Sequence, residues 1–199
     1  AIDACNEALK TYKLSEFPDQ YGEVQTLLWA GFTALAEVEE RAKNCQKAID
    51  ACQRAQEAYA GRSLRECADV LKNLGYTYVT LAEVENRAEN CKKAIEAYKS
   101  ALDISTANCS HFEHAEIQRD LGYAYVILSD AEDKTENCKM AVKAYKKAFK
   151  AYRDASRELE EEGDLRAAEA KGNADECQAA MEACRKILKA SRRAKKAPS

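Results

Sequence analysis

Ala48-Ile49-Asp50-Ala51-Cys52 returns as Ala94-Ile95-Glu96-Ala97-Tyr98 and again as Ala141-Val142-Lys143-Ala144-Tyr145. These copies stand 46 and 47 residues apart, and Ala1-Ile2-Asp3-Ala4-Cys5 precedes the first of them by 47. A fainter copy, Ala180-Met181-Glu182-Ala183-Cys184, follows the last by 39. Asn44-Cys45, Asn90-Cys91 and Asn137-Cys138 stand just upstream. Farther back are Leu35-Ala36-Glu37-Val38-Glu39, Leu81-Ala82-Glu83-Val84-Glu85 and the looser Leu128-Ser129-Asp130-Ala131-Glu132. A unit of about 46 residues therefore occurs three times, and a fixed period of this size marks stacked supersecondary units. The segments read as a half repeat (1–16), three repeats (17–60, 61–106 and 107–155) and a degenerate repeat with a C-terminal cap (156–199), in one continuous array.

Each unit carries two apolar stripes at helical spacing. In the second unit Val70, Leu74, Tyr78 and Leu81 share one face of a first helix, expected over 64–86. Cys91, Ala94, Ile95, Tyr98, Ala101 and Leu102 share a face of a second helix, expected over 90–105. Asn44, Asn90 and Asn137 suit N-caps of the second helices, since an Asn side chain accepts an orphan backbone N–H. Phe17-Pro18 fits the start of the first unit's opening helix, where proline lacks only an unpaired donor. Breaks are expected at Gly61 to Ser63, at Ser105 to Ser110, at Gly163 after the acidic run Glu160 to Glu162, and at Gly172-Asn173. The last helix then covers about 174–193, and Arg192, Arg193, Lys195 and Lys196 complement its C-terminal dipole.

Composition agrees with an all-α chain. Seven glycines and two prolines among 199 residues are under half the usual share of about 12%. Hydrophobic residues at 46% supply enough apolar surface to exclude disorder. With 31 Lys and Arg against 34 Asp and Glu, the balance lacks the basic excess of a nucleic-acid binder. No run of about 18 apolar residues exists, so no membrane partner is expected. Ala1 opens directly into a helical pattern without a secretory leader or Met, which points to an excised fragment and a cytoplasmic location.

Leu74-Gly75-Tyr76-Thr77-Tyr78 and Leu121-Gly122-Tyr123-Ala124-Tyr125 resemble the first-helix signature of the tetratricopeptide repeat. Ala94, Tyr98 and Ala101, and again Ala141, Tyr145 and Ala148, match its second helix. The period exceeds the family's 34 residues, which implies longer helices. Ala88 to Ile95 is similar to the extended variety found in tandem arrays, some attached to caspase-like protease or nucleotide-binding switch domains. The resemblance implies an all-α, right-handed superhelical solenoid of antiparallel helix pairs. Trp29 stands where Gly75 and Gly122 stand, so the first pair is expected to pack less closely. Cys5, Cys52 and Cys184 replace the family aromatic.

Nine cysteines is an odd number in a chain too long for a disulfide scaffold. Cys45, Cys91, Cys138 and Cys177 hold one repeat position on the apolar stripe, and Cys45–Cys52 and Cys177–Cys184 are spaced to share helix faces. They read as reduced core residues. Cys109, His111 and His114 form a C-x-H-x-x-H cluster of zinc-ligand types around Glu113, but the spacing matches no known site and lacks a fourth ligand. No metal and no cofactor is expected. Lys139, Lys143, Lys146, Lys147 and Lys150, with Arg192 and Arg193, make a basic stripe that reads as a solvated outer face.

The opposite faces of the first helices are the most informative surface. Asp69, Lys72, Tyr76, Val79 and Thr80 line up in the second unit, and Glu116, Arg119, Tyr123, Val126 and Ile127 in the third. The first unit offers Glu23, Thr26, Ala30, Thr33 and Ala34. In the tetratricopeptide family the matching positions face a concave groove that holds peptides. Aromatic anchors would supply binding energy and flanking charges orientation, with Lys72 and Arg119 favouring an acidic segment. The plain alternative packs Tyr76 and Tyr123 between repeats. No nucleophile–base–orienter set or phosphate loop is visible, so an enzyme is not expected. The leading expectation is a protein-interaction scaffold. A regulatory array cut from a larger protein and a self-assembling module remain as alternatives.

Overall fold

The computed structural model describes residues 1–105 and 110–194, and among these every regular element is a helix. Two compact units result, Ala1–Asn108 and Cys109–Ser199. The first holds α1 (Ile2–Thr11), α2 (Pro18–Val38), α3 (Arg41–Tyr59), α4 (Leu64–Ala82) and α5 (Arg87–Ser105). The second holds α6 (His111–Ser129), α7 (Lys134–Glu162) and α8 (Arg166–Ala194). Within each unit every helix packs on its neighbours in the chain, and α6 also touches α8. This is the consecutive helix pairing of a helical repeat. Pro18 opens α2 as its composition led us to expect, and Ser110 caps α6 in a reciprocal box with Glu113.

The turn inside each helix pair works differently from the capping we expected. The second helices begin at Arg41, Arg87 and Lys134, three residues before Asn44, Asn90 and Asn137. These asparagines are buried inside the first turn, and they donate rather than accept. Asn44 Nδ2 reaches the Glu39 carbonyl at 2.9 Å, Asn90 the Glu85 carbonyl at 2.9 Å, and Asn137 the Glu132 carbonyl at 2.8 Å. Each therefore clamps the turn between the two helices of a pair, satisfying a carbonyl just ahead of the second helix. Between them Glu40, Asn86 and Asp133 take the left-handed conformation, with φ of 42°, 45° and 43°. A reversal this tight requires one such residue.

Close helix contact is built from glycine against tyrosine. A Cβ on Gly75 would stand 2.6 Å from the Tyr98 ring, and one on Gly122 would stand 2.9 Å from Tyr145. The first pair achieves the same approach elsewhere. A Cβ on Gly22 would meet Tyr59 at 2.6 Å, one position seven residues earlier on the first helix and the other seven later on the second. In antiparallel helices both shifts run in the same direction, so the contact has slid two turns along the pair. Trp29 then packs on the core cluster that includes Cys52, where the thiol leaves the room a tyrosine would fill. The pair α2–α3 packs as extensively as α4–α5, so Trp29 does not loosen it.

Cys45, Cys52, Cys91, Cys138, Cys177 and Cys184 are buried free thiols, while Cys5 and Cys67 are half-buried. Burial pushes Cys52 up to about 12, and Cys91, Cys177 and Cys184 to about 11, despite a cationic neighbour beside Cys91 and Cys177. In the second unit α7 runs on to Glu162 and stops at Gly163, φ 71°, where the Asp164 N–H bonds the Leu159 carbonyl at 2.8 Å. Gly172 and Asn173 make no break, since α8 passes straight through them. Ser156 Oγ on α7 donates to the Ala167 carbonyl at 3.2 Å and ties the two long helices together.

Candidate binding surface on the first helices

The residues singled out on the first helices occupy α2, α4 and α6. Tyr76 is 42% exposed on α4 and Tyr123 48% exposed on α6, at equivalent repeat positions. Each follows directly on the glycine that its helix presses against a buried tyrosine. The inward glycine and the outward tyrosine are thus consecutive residues with opposite duties. Lys72, Asp69 and Thr80 are half-buried around Tyr76, and Glu116, Arg119, Val126 and Ile127 around Tyr123. Val79 is the exception. At 5% exposure it belongs to the core and offers no surface to a partner. Thr80 Oγ1 donates to the Tyr76 carbonyl at 3.1 Å, within its own helix.

Arg119 is not an isolated cation. Its Nε donates to Asp120 Oδ1 at 3.0 Å. Burial alone would lower its pKa, and Asp120 more than offsets that, so the guanidinium stays charged. Tyr152 lies fully buried nearby on α7, edge-on to Phe112 with ring centroids 5.6 Å apart. Burial raises its hydroxyl well above the ordinary value.

In the first unit Glu23 and Thr26 from α2 and Asp69 from α4 come together around an open cleft of about 370 Å³. Leu27, Tyr59, Glu66 and Val70 complete its lining. Leu27 and Glu66 share helical spacing with Glu23 and Asp69, but Tyr59 comes from α3 and Val70 reads as core, so only the packing of α2, α3 and α4 brings the set together. The cleft is mostly apolar, and Leu27 leaves 60% of its surface open. Its volume falls at the low end of the roughly 300–1,000 Å³ typical of small-molecule pockets. The α2 and α4 walls are joined by Trp29 Nε1, which donates to Thr77 Oγ1 at 2.9 Å. Thr77 Oγ1 in turn donates to the Asn73 carbonyl at 2.9 Å, so that both walls are fixed. Burial pushes the Tyr59 hydroxyl above its ordinary value, a hydrogen bond with Thr26 opposes this, and Glu23, Glu66 and Asp19 reinforce burial. Three carboxylates line the cleft, and none of its lining residues is basic.

Cys109 lies outside the described residues. His111 Nδ1 is 2.7 Å from Glu158 Oε1, while burial, with Lys147 and His111, lowers the pKa of His114. Among the described residues no three His, Cys, Asp or Glu side chains are grouped to hold a metal. Lys139, Lys143, Lys146, Lys147 and Lys150 are all exposed on α7, as is Arg193 on α8. The Arg192 side chain, Lys195 and Lys196 lie outside the described residues. No described helix is long and apolar enough to cross a membrane. No protein-family model matches the chain, and comparison with curated proteins finds no match.

Proposed function

We propose that this chain is a non-enzymatic protein-interaction scaffold, receiving a peptide segment of a partner on the exposed faces of α2, α4 and α6. We read it as a cytoplasmic member of the extended tetratricopeptide arrays, its helix pairs winding in a right-handed superhelix. One observation carries the functional reading: Tyr76 and Tyr123 are exposed at the same repeat position, each on a helix whose other face is held rigidly by a glycine–tyrosine contact. Exposed tyrosines on a fixed backbone supply apolar area and a polar tip at little entropic cost, which suits interface anchors.

The test is affinity purification with the intact chain, the Tyr76→Ala/Tyr123→Ala variant and a Lys146→Ala control on the outer face. Truncating each anchor costs about 1–2 kcal/mol of binding, so the double variant loses its partners while the control keeps them. Melting temperatures of all three stay close together. Partners retained by the tyrosine variant, or lost with Lys146→Ala, would move the binding surface off the first helices.

A further inference from the structure

The cleft between α2 and α4 has a chemistry of its own. Its apolar surface is chiefly Leu27, 60% exposed, over the nearly buried Tyr59 and Val70, and its rim carries the carboxylates of Glu23 and Glu66, with Asp69 already engaged within the chain. None of the seven lining residues is basic. Both Glu23 and Glu66 are exposed, and neither forms an ion pair within the described residues. The Tyr59 ring is held in place from below by Gly22, where no side chain fits, and the walls are cross-tied by Trp29 and Thr77. The cleft is therefore formed before any ligand arrives.

A side chain that complements this surface needs a long apolar stem and a cationic head. Lysine and arginine have that construction: their methylenes lie along apolar surface while the charge stays at the wet edge. A carboxylate-bearing segment would bring like charges together and is disfavoured. The volume admits one or two large side chains and excludes a folded domain. We infer that this cleft binds a short basic segment of a partner protein. One Lys or Arg lies with its stem along Leu27 and its head between Glu23 and Glu66. The inference rests on the scaffold reading above and adds the chemistry of the partner.

The experiment selects a random dodecapeptide library, displayed on phage, against the intact chain. Enriched sequences are then synthesised with a fluorophore and titrated by anisotropy. The expected consensus carries Lys or Arg beside a Leu- or Phe-sized residue. Glu23→Lys/Glu66→Lys weakens its binding about tenfold, and raising salt weakens it in the wild type. Leu27→Ser weakens it severalfold with less dependence on salt. All three positions are exposed, so far-UV circular dichroism should show these variants folded. An acidic consensus, or a basic peptide whose affinity survives the double charge reversal, overturns the inference while leaving the scaffold reading standing. Self-association that is abolished by the double reversal also overturns it, by assigning the cleft to a second copy. If no sequence is enriched at all, both readings fall.

Discussion

Gly75→Ala adds one methyl group at the tightest point of the α4–α5 contact. The new Cβ would stand 2.6 Å from Tyr98 Cε1 and 2.8 Å from both Cδ1 and Cζ. Carbon atoms pack comfortably at about 3.5–4.0 Å, so the overlap approaches 1 Å against three ring atoms at once. Tyr98 is 1% exposed, and its ring has no open space into which to swing. Overpacking of this kind costs about 1–3 kcal/mol. Alanine returns about 0.5–1 kcal/mol through its better helix propensity. The net expectation is a loss of about 1–2 kcal/mol, read as a lower urea midpoint or a melting temperature down by about 2–8 °C. Gly172→Ala supplies the internal comparison. It lies within α8 with no atom within 4 Å of its added Cβ, so only propensity acts and stability rises by about 0.5–1 kcal/mol. A double-mutant cycle with Tyr98→Leu completes the test. Removing the ring should relieve the Gly75→Ala penalty, giving a coupling of about 1–2 kcal/mol. If Gly75→Ala stabilises the chain as Gly172→Ala does, the glycine–tyrosine contact does not set the helix spacing and the reasoning is refuted.

Two other perturbations follow from the same geometry. Asn90→Ala removes the donor that satisfies the Glu85 carbonyl and should cost about 1–3 kcal/mol in urea melts. Asn90→Asp should cost more at neutral pH, because a carboxylate would face that carbonyl, and the gap should narrow in acid; equal costs across pH would refute a donor role. Alkaline stability tests the thiols: unfolded cysteines ionise near their ordinary 9.0, whereas Cys52 in the folded chain holds its proton to about 12 and Cys91, Cys177 and Cys184 to about 11. Their contribution is complete below about pH 9 and is lost as pH rises towards 12, so urea midpoints should fall over that window and Cys52→Ala should flatten the fall. A profile unchanged by Cys52→Ala would mean that this thiol is not buried as described.

The period was legible because it is written in single-helix patterns: Ala48 to Cys52 and its copies show the same face at each return, and an apolar stripe needs only its own helix to be seen. Tyr76 and Tyr123 were legible for the same reason, as outward residues next to inward glycines. What escaped lies between helices. Asn44, Asn90 and Asn137 carry both a donor and an acceptor, so composition alone cannot distinguish a cap from a clamp, and the helix start moved by three residues with the answer. Glu23 and Glu66 are 43 positions apart in the chain, and only the placement of α2 beside α4 puts them on one rim. Val79 looked like groove because it shares the spacing of Tyr76, yet the helix turns just far enough to bury it.

The first repeat shows why substitution at a repeat position is a poor guide to packing. Read in register, Trp29 for glycine and Cys52 for tyrosine look like two separate losses. In space they lie within one packed region: Trp29 rests on the cluster that contains Cys52, and the bulk that one helix gains is bulk that the other gives up. Cores accept such exchanges when total volume is kept. The close approach that the exchange displaces is recovered two turns away by Gly22 and Tyr59. The displaced elements then acquire uses of their own. Trp29 reaches α4 through its indole N–H, and Tyr59 becomes the floor of the cleft. The residue that departs most from the repeat pattern therefore braces the walls of the proposed binding site, and the glycine–tyrosine contact that moved to make room for it shapes the floor.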